Sequence, residues 1–186
     1  MNPSREEAWV LLNRYIKNER MRWHSLATEA VMRSLALRLQ GDPDRWGIAG
    51  LLHDLDLEVV EGDLHRHGLE TAAILQAEGY DTEIIDAIKR HNQMPGGNKR
   101  ETTFQHALAA GETITGLITA TAMVYPDKKL AGVKAKSVVK RMKEKAFAAS
   151  VNRDTIMECE VIGIPLGEFA EICLGAMQAI SDDLGL

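Results

Sequence analysis

Cysteine is scarce in this chain. Cys159 and Cys173 are the only two, and their spacing matches neither a CxxC pair nor a disulfide framework, so buried thiols in a reducing compartment are expected. Positive charge is not in excess either: the formal net charge is −5, which gives no general reason to bind nucleic acid. No run approaches the ~18 uninterrupted apolar residues of a membrane span. The nearest candidate is broken by Glu112 and several threonines. Internal repeats, low-complexity tracts and convincing strands are absent, and short β-branched patches such as Val59-Val60 are too brief to form a sheet. The first residues include Glu6 and Glu7 where a secretory signal would place basic and then apolar side chains, so no export and a cytoplasmic location are expected.

What is present is an ordinary globular balance, with 45% apolar and 26% charged residues in 186. That length suits one domain with a substantial core. Apolar residues recur at helical spacing almost throughout, which predicts an all-α fold, a compact multi-helix bundle. Ser4 and Glu7 read as a capping box for a helix to about residue 18. A second helix, predicted over 22–40 and stopped by Gly41, carries His24, Thr28, Val31 and Leu35 on one face. Asp42 and Pro43 supply a cap and a first-turn proline for the third. Residues 58–64 read as a loop, and helical spacing resumes over 65–78, closing at Gly79. Asp81 or Thr82 caps a helix that ends near His91. The clearest loop is 94–98, with Pro95, Gly96 and Gly97. A long helix is predicted over 101–124, then a basic one over 134–146, one over 152–163 and a last over 165–184.

The third helix ends in Ile48-Ala49-Gly50-Leu51-Leu52-His53-Asp54, an apolar run closing on an imidazole and a carboxylate. A buried carboxylate without compensation costs several kcal/mol or more. Glu112 poses the same problem, being the only charged residue between His106 and Asp127. His24 and His91 also lie on apolar stripes. Imidazole nitrogens with carboxylate oxygens suit first-row divalent metals, and one shared ion would compensate both carboxylates. No pair of histidines has HExxH spacing, so such a site must be assembled from several helices.

The order His24, His53-Asp54, then an acidic residue well downstream resembles the HD-domain superfamily of metal-dependent phosphohydrolases, over about residues 20–125. On that resemblance His24 corresponds to the family's first histidine, His53-Asp54 to its namesake pair and Glu112 to its final aspartate, from which Glu112 departs by one methylene. His67 and His91 look like the extra histidines of members that hold two metals, with Asp54 bridging. The run Ile114-Thr115-Gly116-Leu117-Ile118 looks like a subgroup labelled as predicted hydrolases. The resemblance thus implies a metal core at about 20–125 with a helical extension over 126–186. It also implies one or two divalent ions (Mn, Fe, Co, Ni or Zn, with Mg possible) and metal-activated water attacking a small phosphorylated metabolite or nucleotide. Asp54 would orient metal and water, and Asp56 or Glu58 would be the general acid.

Alternatives of other classes are a di-iron oxygenase, which some relatives with six ligands are, and a non-catalytic metal- or ligand-binding regulatory module. His65 and His106 read as ordinary hydrogen-bonded histidines. Between 128 and 145 there are eight Lys or Arg residues and one acidic residue, Glu144, which reads as the solvated side of an amphipathic helix, with phosphate recognition as the alternative. No nucleic acid or membrane partner is expected, and the Leu-rich terminal helices would support a homodimer.

Overall fold

The computed structural model describes residues 3–92 and 99–186, so the loop expected over 94–98 lies outside the described residues. Among the described residues there are nine α-helices, one short 3-10 turn and no strand. The fold is all-α, as the spacing predicts.

Helix α1 (Arg5–Tyr15) opens on the expected capping box: Glu7 N–H donates to Ser4 Oγ at 3.2 Å, and Ser4 N–H to Glu7 Oε2 at 2.7 Å. It ends short of residue 18 because Asn18 caps the next helix, α2 (Glu19–Arg38), accepting from the N–H groups of Arg20 and Met21. Asp42 caps α3 (Pro43–Leu52) through the N–H groups of Asp44 and Arg45, and His53 is its C-cap residue. Turns follow to Gly68. Helix α4 (Leu69–Ala77) therefore starts four residues later than the apolar spacing suggests, because Gly68 sits at φ +85°, a left-handed conformation that side chains resist. Asp81, not Thr82, caps α5 (Thr82–His91), and a Thr102/Gln105 box opens α6 (Thr103–Met123).

The C-terminal helices are all shorter than expected: α7 (Ala135–Met142), α8 (Arg153–Met157) and α9 (Leu166–Ala179). Ala146, the last residue of the span predicted for the basic helix, is exposed in the turns beyond it. Those turns are held from outside, since the Arg153 guanidinium donates to the carbonyls of Phe147, Ala148 and Val151. Backbone acceptors that a continued helix would satisfy are thus met by one side chain.

Helix α2 is the central element and touches α3, α6 and α9. Two glycines set its closest approaches. A Cβ on Gly50 would stand 2.7 Å from the Thr28 carbonyl oxygen of α2, and one on Gly111 would stand 3.2 to 3.3 Å from Val31, Leu35 and Met32. The first glycine lies three residues before His53 and the second immediately before Glu112. Both metal-ligand candidates are therefore drawn onto the helix that carries His24. Around them Val31, Met32, Leu35, Leu51, Leu52, Leu108 and Ile114 are fully buried in one continuous core.

Because backbone blocks a new methyl group at residue 50, Gly50→Ala should push α3 off α2. The expected result is a destabilisation of about 1–3 kcal/mol in denaturant unfolding, with weakened binding of a divalent metal by the folded variant. Wild-type stability and metal affinity in Gly50→Ala would contradict the role given to this contact.

Candidate metal centre

Four imidazoles and two carboxylates meet where α2, α3, α5, α6 and the turns after α3 converge. They form two groups of three, His24 with His53 and Glu112, and Asp54 with His67 and His91. In each group one donor atom from every residue lies within 4.8 Å of the others. His24 Nε2 is 3.1 Å from His53 Nε2, and His91 Nε2 is 3.0 Å from His67 Nε2. Asp54 stands between the groups. Its Oδ1 is 3.2 Å from Nε2 of both His53 and His67 and 3.6 Å from that of His91, while its Oδ2 is 3.5 Å from His24 Nε2. Glu112 Oε2 is 4.0 Å from His24 Nε2.

The far side of every ring is already committed. His53 Nδ1–H donates to Gly50 O at 2.8 Å, and His91 Nδ1–H to Ile88 O at 2.6 Å. His67 Nδ1–H donates to Asp56 Oδ1 at 2.7 Å. Thr115 Oγ1 gives its own hydrogen to Glu112 O at 2.7 Å, so it accepts from His24 Nδ1 at 3.0 Å. With each Nδ1 acting as donor, all four Nε2 atoms turn their lone pairs toward the common centre. That is the tautomer and orientation metal-binding histidines need. Lone pairs 3 Å apart repel unless a positive charge lies among them.

In the metal-free protein protons supply that charge. Burial opposes protonation of His67, but its hydrogen bonds to Asp54 and Asp56 prevail and push it up to about 10. His53 is raised in the same way, with the Asp54 charge outweighing burial. Burial and the neighbouring His53 charge lower His24 to about 4, and burial, assisted by the charges of His67 and His53, lowers His91. Asp54 stays ionised, well below the usual carboxylate range, because His53 and the hydrogen bonds of three imidazoles outweigh its burial. Glu112 is raised to about 7 by burial. A mixed nitrogen and oxygen set that already needs two positive charges fits divalent transition metals.

The structure places Asp56 and Glu58 differently from their expected role as general acid. Asp56 is fully buried, and besides His67 it accepts from the N–H groups of Gly68 at 2.7 Å and Thr71 at 2.9 Å. It orients His67 and starts α4, and those bonds hold its carboxyl below the usual range against its burial. Glu58 accepts from the N–H groups of Lys17 and Asn18, away from the cavity.

A cavity of about 570 Å³ is lined by five of the six residues, all but the fully buried His53. Its remaining walls include Asn92, Arg100, Thr113, Ser150, Asn152 and Thr155, none of which the sequence reading singles out. Arg100 is committed: its guanidinium binds Glu158 and donates to the carbonyls of Arg90 and His91. Glu158 also takes a bond from His106 Nδ1 at 2.6 Å, so His106 is an ordinary paired histidine, as expected, and His65 is exposed. This network ties the C-terminal segment to the end of α5, where His91 sits. None of the eight basic residues between 128 and 145 lines this cavity.

The family model described as HD domain matches residues 23–123, more than half of the chain. It covers all six clustered residues and stops before α7. Neither the comparison with curated proteins nor that with solved structures gives a match.

Two outcomes follow from the proton bookkeeping and from Asp56. His67 sits near 10 against an ordinary 6.5, so its stabilising proton is fully present below pH 6.5 and is lost as pH rises through 10. Glu112, about 7 against 4.5, adds a loss of the same sign between those values. Metal-free protein should therefore melt at lower temperature as pH goes from 7 to 9, and the gain in Tm on adding Mn should widen over that range. A gain that narrows would contradict the assignment. Asp56→Asn should leave one group of three intact and cut affinity in the other about 10- to 100-fold, read as a metal content falling from two ions toward one. Unchanged stoichiometry and affinity would remove Asp56 from the account.

Proposed function

The chain belongs to the HD domain family, and on that premise we propose that it is a phosphohydrolase acting on a small phosphorylated metabolite or nucleotide with two divalent metal ions. The observation that supports this reading is the pair of three-residue groups with Asp54 between them, five of the six residues lining an accessible cavity. Four imidazoles favour Mn, Fe, Co, Ni or Zn over Mg, which prefers oxygen ligands. When bound, such ions acidify a water molecule and polarise a phosphoryl oxygen.

The residues of the chain do the positioning. His24, His53 and Glu112 would hold one ion and His67 and His91 the other, with Asp54 directing an oxygen to each. The neutral groups of Asn92, Thr113, Ser150, Asn152 and Thr155 surround the space above them. Apart from the histidines, Arg100 is the one cationic side chain lining this cavity among the described residues, and it makes four hydrogen bonds to Glu158 and two carbonyls. Charge neutralisation of a phosphate would thus rest on the metal centre rather than on a basic patch. No carboxylic acid outside the six-residue cluster lines the cavity among the described residues, so the leaving oxygen takes its proton from water there.

The test is a panel of phosphomonoesters and phosphodiesters assayed with each metal in turn. Turnover should need a transition metal and disappear in His53→Ala and Asp54→Ala. Failure to bind any metal, or turnover that persists in both variants, would sink the reading. The same six donors also suit a pair of irons, so turnover that requires iron and molecular oxygen would move the protein to oxygen activation instead.

A further inference from the structure

A second cavity, of about 560 Å³, lies behind the metal centre and shares two lining residues with the first, His24 and Gly116. Its chemistry is different. Trp23, Ala27, Ala120, Met123 and Leu184 give it a mostly apolar wall, and its charged lining residues, Arg20 and Lys128, are exposed. The volume suits a small organic molecule rather than a single ion.

Gly116 is the informative residue. It lies in the interior of α6, where glycine costs roughly 0.5–1 kcal/mol relative to alanine. Packing does not require it, because an added Cβ would meet only Val151 Cγ2, at an ordinary 3.5 Å. Gly111, one and a half turns earlier, is different, since there a Cβ would press on three side chains of α2. Gly116 stands where the two cavities meet, lining both together with His24, and the side chain it lacks would project toward Val151 of the metal cavity.

We infer that the substrate spans both cavities: its phosphate lies over the metal centre and its alcohol carries an apolar ring that passes Gly116 and rests against Trp23. This rests on the phosphohydrolase reading and narrows its substrate class. Water adds to phosphorus, and the P–O bond to the alcohol breaks with its electron pair on the alcohol oxygen. That oxygen takes one of the water's protons. The products are inorganic phosphate and an apolar alcohol, the latter left in the second cavity.

The experiment compares ethyl phosphate with 2-phenylethyl phosphate, whose leaving groups differ little except in apolar area. The metal-loaded protein should show kcat/KM higher by about tenfold or more for the phenyl compound. Gly116→Val and Ala120→Leu, confirmed folded by circular dichroism, should bring that ratio down toward one. In a separate binding arm, 2-phenylethanol added to metal-free protein should change the tryptophan emission, and Trp23→Phe should abolish the change although Trp9 and Trp46 remain. Equal kcat/KM for the two esters, with hydrolysis intact, overturns the inference and leaves the phosphohydrolase reading standing. No ester hydrolysis at all, with 2-phenylethanol still sensed by Trp23, overturns the substrate assignment through its premise and keeps only an apolar binding site.

Discussion

Everything near the centre of this protein is arranged around one buried carboxylate. Asp54 has almost no access to water, yet it remains ionised because His53, His67 and His91 each bring an Nε2 atom within 3.2 to 3.6 Å of the same oxygen. Two of those imidazoles hold protons that their own burial opposes. The cluster is therefore satisfied only while positive charge is present, and it accepts that charge from protons or from metal ions. This is the usual economy of a buried ionic network, where each member is costly alone and tolerable together.

Holding six such side chains requires a rigid frame, and the frame is made by bringing backbones close. Gly50 lets α3 rest on a carbonyl of α2, and Gly111 lets α6 reach the Val31, Met32 and Leu35 side chains. The hydrogen bonds behind the rings then fix their rotation. Three of the four imidazoles lean on an acceptor from their own segment or the adjoining turns, Gly50, Ile88 or Asp56, and the fourth leans on Thr115 of α6. The segment beyond the HD match contributes the rest: Ser150, Asn152 and Thr155 wall the cavity, and Glu158 braces the end of α5 through Arg100.

Much of this could be read from the chain. Helical periodicity and cap residues place most of the elements, the two carboxylates in apolar surroundings and the histidines on or beside apolar stretches point to five of the clustered residues, and the family resemblance adds His67. Other features depend on distant partners. The left-handed turn at Gly68 delays α4 because Asp56, twelve residues earlier, caps it. The basic helix α7 is cut short where Arg153 takes over carbonyls of the turns that follow it. Asp56 looks like a candidate acid in sequence because its neighbourhood to the metal pair is visible there, whereas the ring it grips and its full burial are not. The second cavity has no local sequence signal beyond a helix glycine without an evident duty.

The most direct measurement is a crystal structure of the protein loaded with Mn or Fe, collected with anomalous diffraction. The account predicts two peaks about 3.5–4 Å apart, one among His24, His53 and Glu112 and one between His67 and His91, with the Asp54 carboxylate reaching both. Fully loaded protein with no peak at these residues, or with its metal bound elsewhere, would contradict it.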